Sequence, residues 1–341
     1  MSNVPICRLK NGLKIRRIIN GMWQVSGSHG TIDVERAVDE MFSYHDSGLT
    51  TFDMADIYGP AERIFAKFLL QFKAKRGNKA AEHIQALTKW VPQPGIMTKK
   101  IVETSIDKSL KRMGVDKLDM LQFHWWDFKD QRYLDALVHL SELKNKGVIG
   151  ELSVTNFNTT HLREVVKLGI DISSNQIQYS IIDNRASVQM SEFCETYGIG
   201  LLTYGTVAGG FLSEKYLNAK EPRADDLPTA SLKKYKQMID AWGGWSLFQE
   251  LLRELSKIAK AQGPDIRIAN VATRYILDKP VVASVIIGCR FGIPGAEHIA
   301  DNLRTLYLEL QPTELEDLHH ILKRGRDLFK STGDCGDEYQ Y

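Results

Sequence analysis

The sequence predicts an α/β protein of the (β/α)8 TIM barrel class, a closed ring of eight parallel strands wrapped in helices. Three observations carry that reading. Eight short strand-like runs fall between about residues 17 and 306, amphipathic helical stretches separate them, and a hairpin signal precedes the first run. With 341 residues and 43% hydrophobic content the chain is long enough for one large core. Residues 1–341 therefore read as a single domain, with the barrel at about 17–306 and a C-terminal helix and tail at 307–341.

In chain order, segments 7–9 and 13–15 flank Asn11-Gly12, the strongest short-range hairpin signal, and the hairpin is expected to cap the barrel bottom. The eight runs are 17–23, 51–55, 83–90, 118–124, 151–155, 175–179, 200–205 and 281–287. Between them, Val102, Ile106, Leu110 and Met113 share one helical face and Gly114 ends it. Leu134, Leu137, Val138 and Leu140 do the same, with Gly147 as the stop. Residues 206–246 form a long connection after the seventh strand, with Pro222, Pro228 and Trp242-Gly243-Gly244-Trp245. Such a length in a compact domain indicates a functional lid or a disordered loop, and Trp242 and Trp245 are candidates to close over a substrate. The tail, with Asp334, Asp337, Glu338, Tyr339 and Tyr341, either borders the pocket or is disordered.

Bulk properties exclude several classes. Net charge is +2, from 44 basic and 42 acidic residues, so nothing points to nucleic acid or an anionic membrane. The four cysteines are scattered without a CxxC pair, which favours a reduced intracellular setting over a disulfide scaffold. No apolar run approaches the roughly 18 residues of a membrane span. The N-terminus lacks a basic-then-apolar leader pattern, so a cytoplasmic location is expected.

Four polar residues mark strand ends: Asp53, Tyr58 five positions later, Lys89 and His124. The C-terminal strand ends of such a barrel share one mouth, so the topology brings the four together. A phenol, an ammonium, a carboxylate and an imidazole can protonate a carbonyl oxygen while hydride arrives at its carbon. Tyr58 is the expected acid, and Lys89 is expected to lower its pKa from near 10. Asp53 would hold Lys89, and neutral His124 would donate a second hydrogen bond to the substrate oxygen. No member is an obvious nucleophile and no metal set accompanies them, which favours hydride transfer from a borrowed donor. Taken singly, an Asp–Lys pair, a core histidine or a turn tyrosine would be ordinary; together, at successive strand ends, they read as catalytic.

These residues resemble those of the aldo-keto reductases. The family's Asp-x-Ala-x-x-Tyr-Gly motif matches Asp53-Met54-Ala55-Asp56-Ile57-Tyr58-Gly59, and its Ser-Leu-x-Arg-x-Gly segment matches Ser109-Leu110-Lys111-Arg112-Met113-Gly114. The resemblance implies a barrel that binds NADPH without a Rossmann domain, and a catalytic tetrad of Asp53, Tyr58, Lys89 and His124. The family's Gly-x-Ser-Asn-Phe segment is similar to Ser153-Val154-Thr155-Asn156-Phe157, with Thr155 in place of the usual Ser. It implies that Asn156 and Gln176 hold the nicotinamide carboxamide, that Tyr204 stacks on the ring, and that Gly205 lends only backbone there. Gly288, Arg290, Glu297 and Asn302 resemble the family's adenosine-phosphate site. Arg290 there would favour NADPH, with NADH as the alternative, although Phe291-Gly292-Ile293-Pro294-Gly295 lengthens the segment. Trp23, Trp90, Trp125 and Trp126 are expected to frame the substrate pocket.

The implied partner is a small carbonyl or alcohol substrate, and the implied state is a monomer. Tyr216 and Lys220 fit the short Tyr-x-x-x-Lys pattern of another dehydrogenase class, but no Gly-rich dinucleotide loop accompanies them, so they are assigned to a solvated loop. A second reading comes from another class: a channel β-subunit-like module that binds cofactor with little turnover. The short stretch of about six residues before the hairpin argues against the long inactivating segment of such modules.

Overall fold

The structure is a computed structural model that describes residues 4–27, 29–295 and 297–339; Tyr341 lies outside them. It opens with an antiparallel hairpin, β1 (Ile6–Arg8) and β2 (Lys14–Arg16), and Gly12 at φ 106° makes the turn. The barrel strands are β3 (Ile18–Gly21), β4 (Thr51–Asp53), β5 (Gln85–Trp90), β6 (Leu118–His124), β7 (Ile149–Thr155), β8 (Ser174–Gln178), β9 (Gly200–Tyr204) and β10 (Val282–Gly288). All eight pair in parallel, each with its neighbour in sequence, and β10 closes the ring against β3 with Val285 opposite Ile18. The expected fold class and the hairpin are both present.

The hairpin seals one end of the ring. Leu9 and Ile15 pack with the inward side chains Ile19, Leu87, Met120, Leu202 and Ala283. Asn11, at the turn, donates to Glu151, Asp171 and Ser173 at the bottom of the barrel wall. A larger apolar layer lies between the ring and its helices, where Ile106 and Met113 of helix Lys99–Met113 are buried as their spacing predicts. Gly114 caps that helix at φ 66°, a left-handed conformation that glycine adopts without strain. The Ser-Leu-x-Arg-x-Gly segment has a structural role: Arg112 pairs with the buried Glu62, which also accepts from Thr88 of β5 at 2.7 Å.

The connection after β9 is ordered. Short 3-10 turns lead into helix Ala230–Trp242 and then helix Gly244–Gln262. Tyr216, expected in solvent, is instead buried against Phe211 and Trp245. Trp242 and Trp245 are also interior: the Trp242 carbonyl accepts from Arg326 N at 2.6 Å, and Trp245 Nε1 donates to the Ala219 carbonyl at 3.0 Å. Neither closes over the barrel mouth. No helix among the described residues is long and apolar enough to cross a membrane.

Candidate active site

At the C-terminal ends of the strands the barrel opens into a cavity of about 350 Å³. Asp53, Tyr58, Lys89 and His124 all line it. So do Trp23, Trp126, Thr155, Asn156, Gln176, Tyr204, Gly205 and Gly288, twelve of the seventeen expected site residues in all.

The tetrad is built from β4, β5 and β6. Lys89 Nζ donates to Asp53 Oδ2 at 2.5 Å and to the Met54 carbonyl at 3.0 Å. It also lies 5.0 Å from the centroid of the Tyr58 ring. An ammonium carries three donors, so one N–H of Lys89 remains for the cavity. Asp53 Oδ1 accepts two further bonds, from Gln122 Nε2 at 2.7 Å and Gln176 Nε2 at 2.9 Å. Gln122 is fully buried and was not anticipated. It stands two residues before His124 on β6, so both side chains point into the barrel.

The electrostatics depart from expectation at two points. Burial pushes the Tyr58 phenol well above its usual range, and the negative charge of Asp53 adds to it. Lys89 does not reverse this, because its charge is already answered by Asp53; burial pulls its own pKa down. His124 falls to about 4, mainly through burial and further through the nearby Lys89. The ring is thus neutral near pH 7. Its Nδ1 lies 3.2 Å from the Thr155 carbonyl, which can only accept, so Nδ1 carries the proton. Nε2 therefore faces the cavity with a lone pair and accepts a hydrogen bond rather than donating one.

Around the tetrad, Asn156 adopts φ 57° and its amide N–H donates to the Gln176 carbonyl at 2.8 Å. Asn156 Oδ1 accepts from the Tyr204 hydroxyl at 2.9 Å. The Gln176 side chain turns inward to Asp53 and Gln122. Gly205 at φ 79° lies against Tyr235, where any Cβ would collide with the phenol oxygen, and Gln24 covers Gly288 in the same way.

Five expected residues fall outside the cavity. Trp90 and Trp125 point the opposite way from Lys89 and His124, stack around Phe123 and belong to the outer core. Strand alternation accounts for this: a residue next to an inward one faces the helices. Arg290 is exposed, with one Nη2 contact to the His29 carbonyl at 3.4 Å. Glu297 is exposed and accepts from Ile299 N. Asn302 is buried, and its Nδ2 has no partner among the described residues.

The tail supplies a wall that sequence alone did not place. Arg185, fully buried, pairs with Asp183 at 2.8 Å and Glu338 at 2.9 Å, and donates to the Asp334 carbonyl at 3.0 Å. Asn158 donates to Asp337 at 2.7 Å. These bonds hold the segment across the mouth, where Gly336 presses on Asn156 and Tyr339 enters the cavity. The Tyr204 and Tyr339 hydroxyls lie 3.0 Å apart, and the Tyr339 ring stands edge-on to His124 with centroids 6.3 Å apart.

Comparison with known proteins agrees with this geometry. A sequence model of the Aldo/keto reductase family matches residues 17–323. The L-glyceraldehyde 3-phosphate reductase of Escherichia coli is 25% identical over 341 aligned residues, covering 95% of this chain and 94% of that protein. The chloroplastic pyridoxal reductase of Arabidopsis thaliana is 26% identical over 294 residues, 82% of this chain and 74% of that one. Among solved structures, the glycerol dehydrogenase of Gluconobacter oxydans shares the fold with a TM-score of 0.75 at 21% identity, covering 98% of each chain. A thermostable aldo-keto reductase solved with the inhibitor epalrestat has a TM-score of 0.69 at 22% identity, over 93% of this chain and 99% of that one. With a match that runs through every barrel strand, the chain belongs to the Aldo/keto reductase family, a family of oxidoreductases.

Proposed function

We propose that this protein reduces aldehyde or ketone carbonyls to alcohols, or runs the reverse oxidation, with NADPH as partner, NADH as the alternative, and Tyr58 as the general acid. The observation that carries the reading is the convergence of Tyr58, Lys89, Asp53 and His124 on one cavity. The surroundings fit a dinucleotide. His124 Nε2, Gln24 Oε1 and Asn302 Nδ2 are buried polar atoms without a partner among the described residues. Thr155, Asn156, Gln176, Tyr204 and Gly205 would hold the nicotinamide end. Gly288, Arg290, Glu297 and Asn302 would hold the adenosine phosphate, and Arg290 underlies the NADPH preference. When bound, the dinucleotide supplies or takes up a hydride at the substrate carbon.

The protein's part is the proton. Tyr58 keeps its proton at neutral pH and gives it to the alkoxide oxygen, a far stronger base than phenolate. Lys89 then stabilises the phenolate left behind, so its charge acts on the product of the transfer rather than on the resting phenol. Asp53, fixed by Gln122 and Gln176, keeps Lys89 in place. His124 Nε2 accepts from the alcohol hydroxyl and orients it. The cavity admits a small substrate edged by Trp23 and Trp126. A cytoplasmic monomer is part of the same proposal, checked by gel filtration at the mass of a single chain.

The test is a carbonyl panel assayed with NADPH and NADH side by side, with Tyr58→Phe as the variant. Loss of the acid should lower kcat by about 100-fold to 10,000-fold while fluorescence titration still shows dinucleotide binding. Full activity in that variant would remove Tyr58 from the role.

A further inference from the structure

We propose that Lys234 forms an anion-recognising subsite in this cavity, so that the preferred substrates are carbonyl compounds bearing a carboxylate or phosphate about one aromatic ring away from the reacting carbon. The inference rests on the oxidoreductase reading above and names its substrate class.

Lys234 projects from helix Ala230–Trp242 into the cavity wall. Its Nζ stands among three tyrosine faces, 4.5 Å from the centroid of Tyr339, 5.2 Å from Tyr204 and 5.5 Å from Tyr235. It donates one hydrogen bond, to the Tyr339 hydroxyl. Among the described residues no carboxylate pairs with it. The acids of the site have cations of their own: Asp53 has Lys89 and two amides, and Asp183 and Glu338 share Arg185, Glu338 through Oε2 alone. Aromatic faces attract a cation but accept no strong hydrogen bond, so two of the ammonium's three N–H groups are left for a ligand.

The position sets the ligand's length. The Tyr339 ring spans the gap between the imidazole and the ammonium, edge-on to His124 at one side and bonded to Lys234 at the other. Tyr339 is itself held by the tail's bonds to Arg185 and Asn158, so it serves as a fixed ruler. A substrate lying along that ring, with its carbonyl oxygen accepting from the Tyr58 hydroxyl, brings its far end to the free N–H groups of Lys234. A neutral far end would leave them without an acceptor, which is a selection against uncharged substrates. The same ammonium could instead serve a phosphate of the dinucleotide, and the assay below separates the two sources.

The experiment compares the wild type, Lys234→Met and Lys234→Arg on 4-carboxybenzaldehyde, 4-formylphenyl phosphate and the uncharged 4-methylbenzaldehyde. Wild-type kcat/KM should favour the anionic aldehydes by about tenfold or more, chiefly through KM, as expected for a charge-assisted bond. Lys234→Met should abolish that ratio and Lys234→Arg should keep most of it. Calorimetric Kd for 4-carboxybenzyl alcohol should rise about tenfold in Lys234→Met relative to the wild type, a readout that needs no turnover. The proposal is overturned by an equal loss on charged and uncharged aldehydes, by an unchanged Kd for that alcohol, or by a matching loss of NADPH affinity, which would assign the ammonium to the dinucleotide. Absence of turnover with every carbonyl and both dinucleotides would instead overturn the oxidoreductase reading, while the calorimetric comparison would still judge the subsite.

Discussion

Replacing His124 with Asn should change how the protein's stability depends on pH, by an amount the site itself sets. The amide of Asn can still donate to the Thr155 carbonyl as Nδ1 does now, but it cannot titrate. In the folded wild type the imidazole is held neutral down to about 4, against an ordinary value of 6.5, chiefly by burial. The unfolded chain takes up a proton below 6.5 and the folded chain does not, so acid favours unfolding over that window. The stabilisation is complete above 6.5 and is lost as pH falls towards 4. At about 1.4 kcal/mol per pH unit the wild type gives up roughly 2 kcal/mol by pH 5 and roughly 3 kcal/mol by pH 4. Asp56, raised to about 6 by burial, works in the opposite direction, but it is common to both proteins and cancels in the difference. Urea unfolding at pH 7, 5 and 4 measures it: the cost of His124→Asn should shrink by those amounts as pH falls. Parallel curves, with a difference constant to about 0.5 kcal/mol, would show that His124 titrates as an ordinary histidine and would refute the tautomer assignment built on its neutrality.

Gln122→Met should cost about 1–2 kcal/mol by removing a buried amide from Asp53. It should also lower kcat/KM on charged and uncharged carbonyls alike, as steady-state assays would show; wild-type rates would mean that Lys89 needs no such support. Arg185→Met leaves the carboxylates of Asp183 and Glu338 without their cation and should cost about 3–5 kcal/mol. Hydrogen exchange across residues 333–339 should rise with it, and unchanged protection there would mean that other contacts hold the tail.

The barrel was legible because its signals are local. Each strand is a short apolar run, and Gly114 and Gly147 end helices where they were expected to. The tetrad was legible because Asp53, Tyr58, Lys89 and His124 sit at strand ends, where the ring's topology alone gathers them. Trp90 and Trp125 were misplaced for a reason also present in the sequence. Each adjoins an inward polar residue, and alternation sends it outward; the same rule, applied two residues before His124, would have found Gln122. Lys234, Tyr235 and Tyr339 could not be found this way. Lys234 and Tyr235 reach the cavity from a helix in a long connection, and Tyr339 from the tail, where Arg185 meets Glu338 across about 150 residues of chain. The tautomer of His124 was equally hidden, since it depends on a backbone carbonyl of the neighbouring strand.

The closing seam of the ring imposes an order on synthesis. Ile18 can find Val285, and Leu9 can find Ala283, only after β10 has been made. At ribosomal speeds of about 5–20 residues per second that wait lasts on the order of tens of seconds. Throughout it the hairpin, with the oily side chains of Leu9 and Ile15, has Ile19, Leu87 and Met120 beside it but lacks Ala283. The hairpin plug is thus completed only when the last strand of the ring arrives.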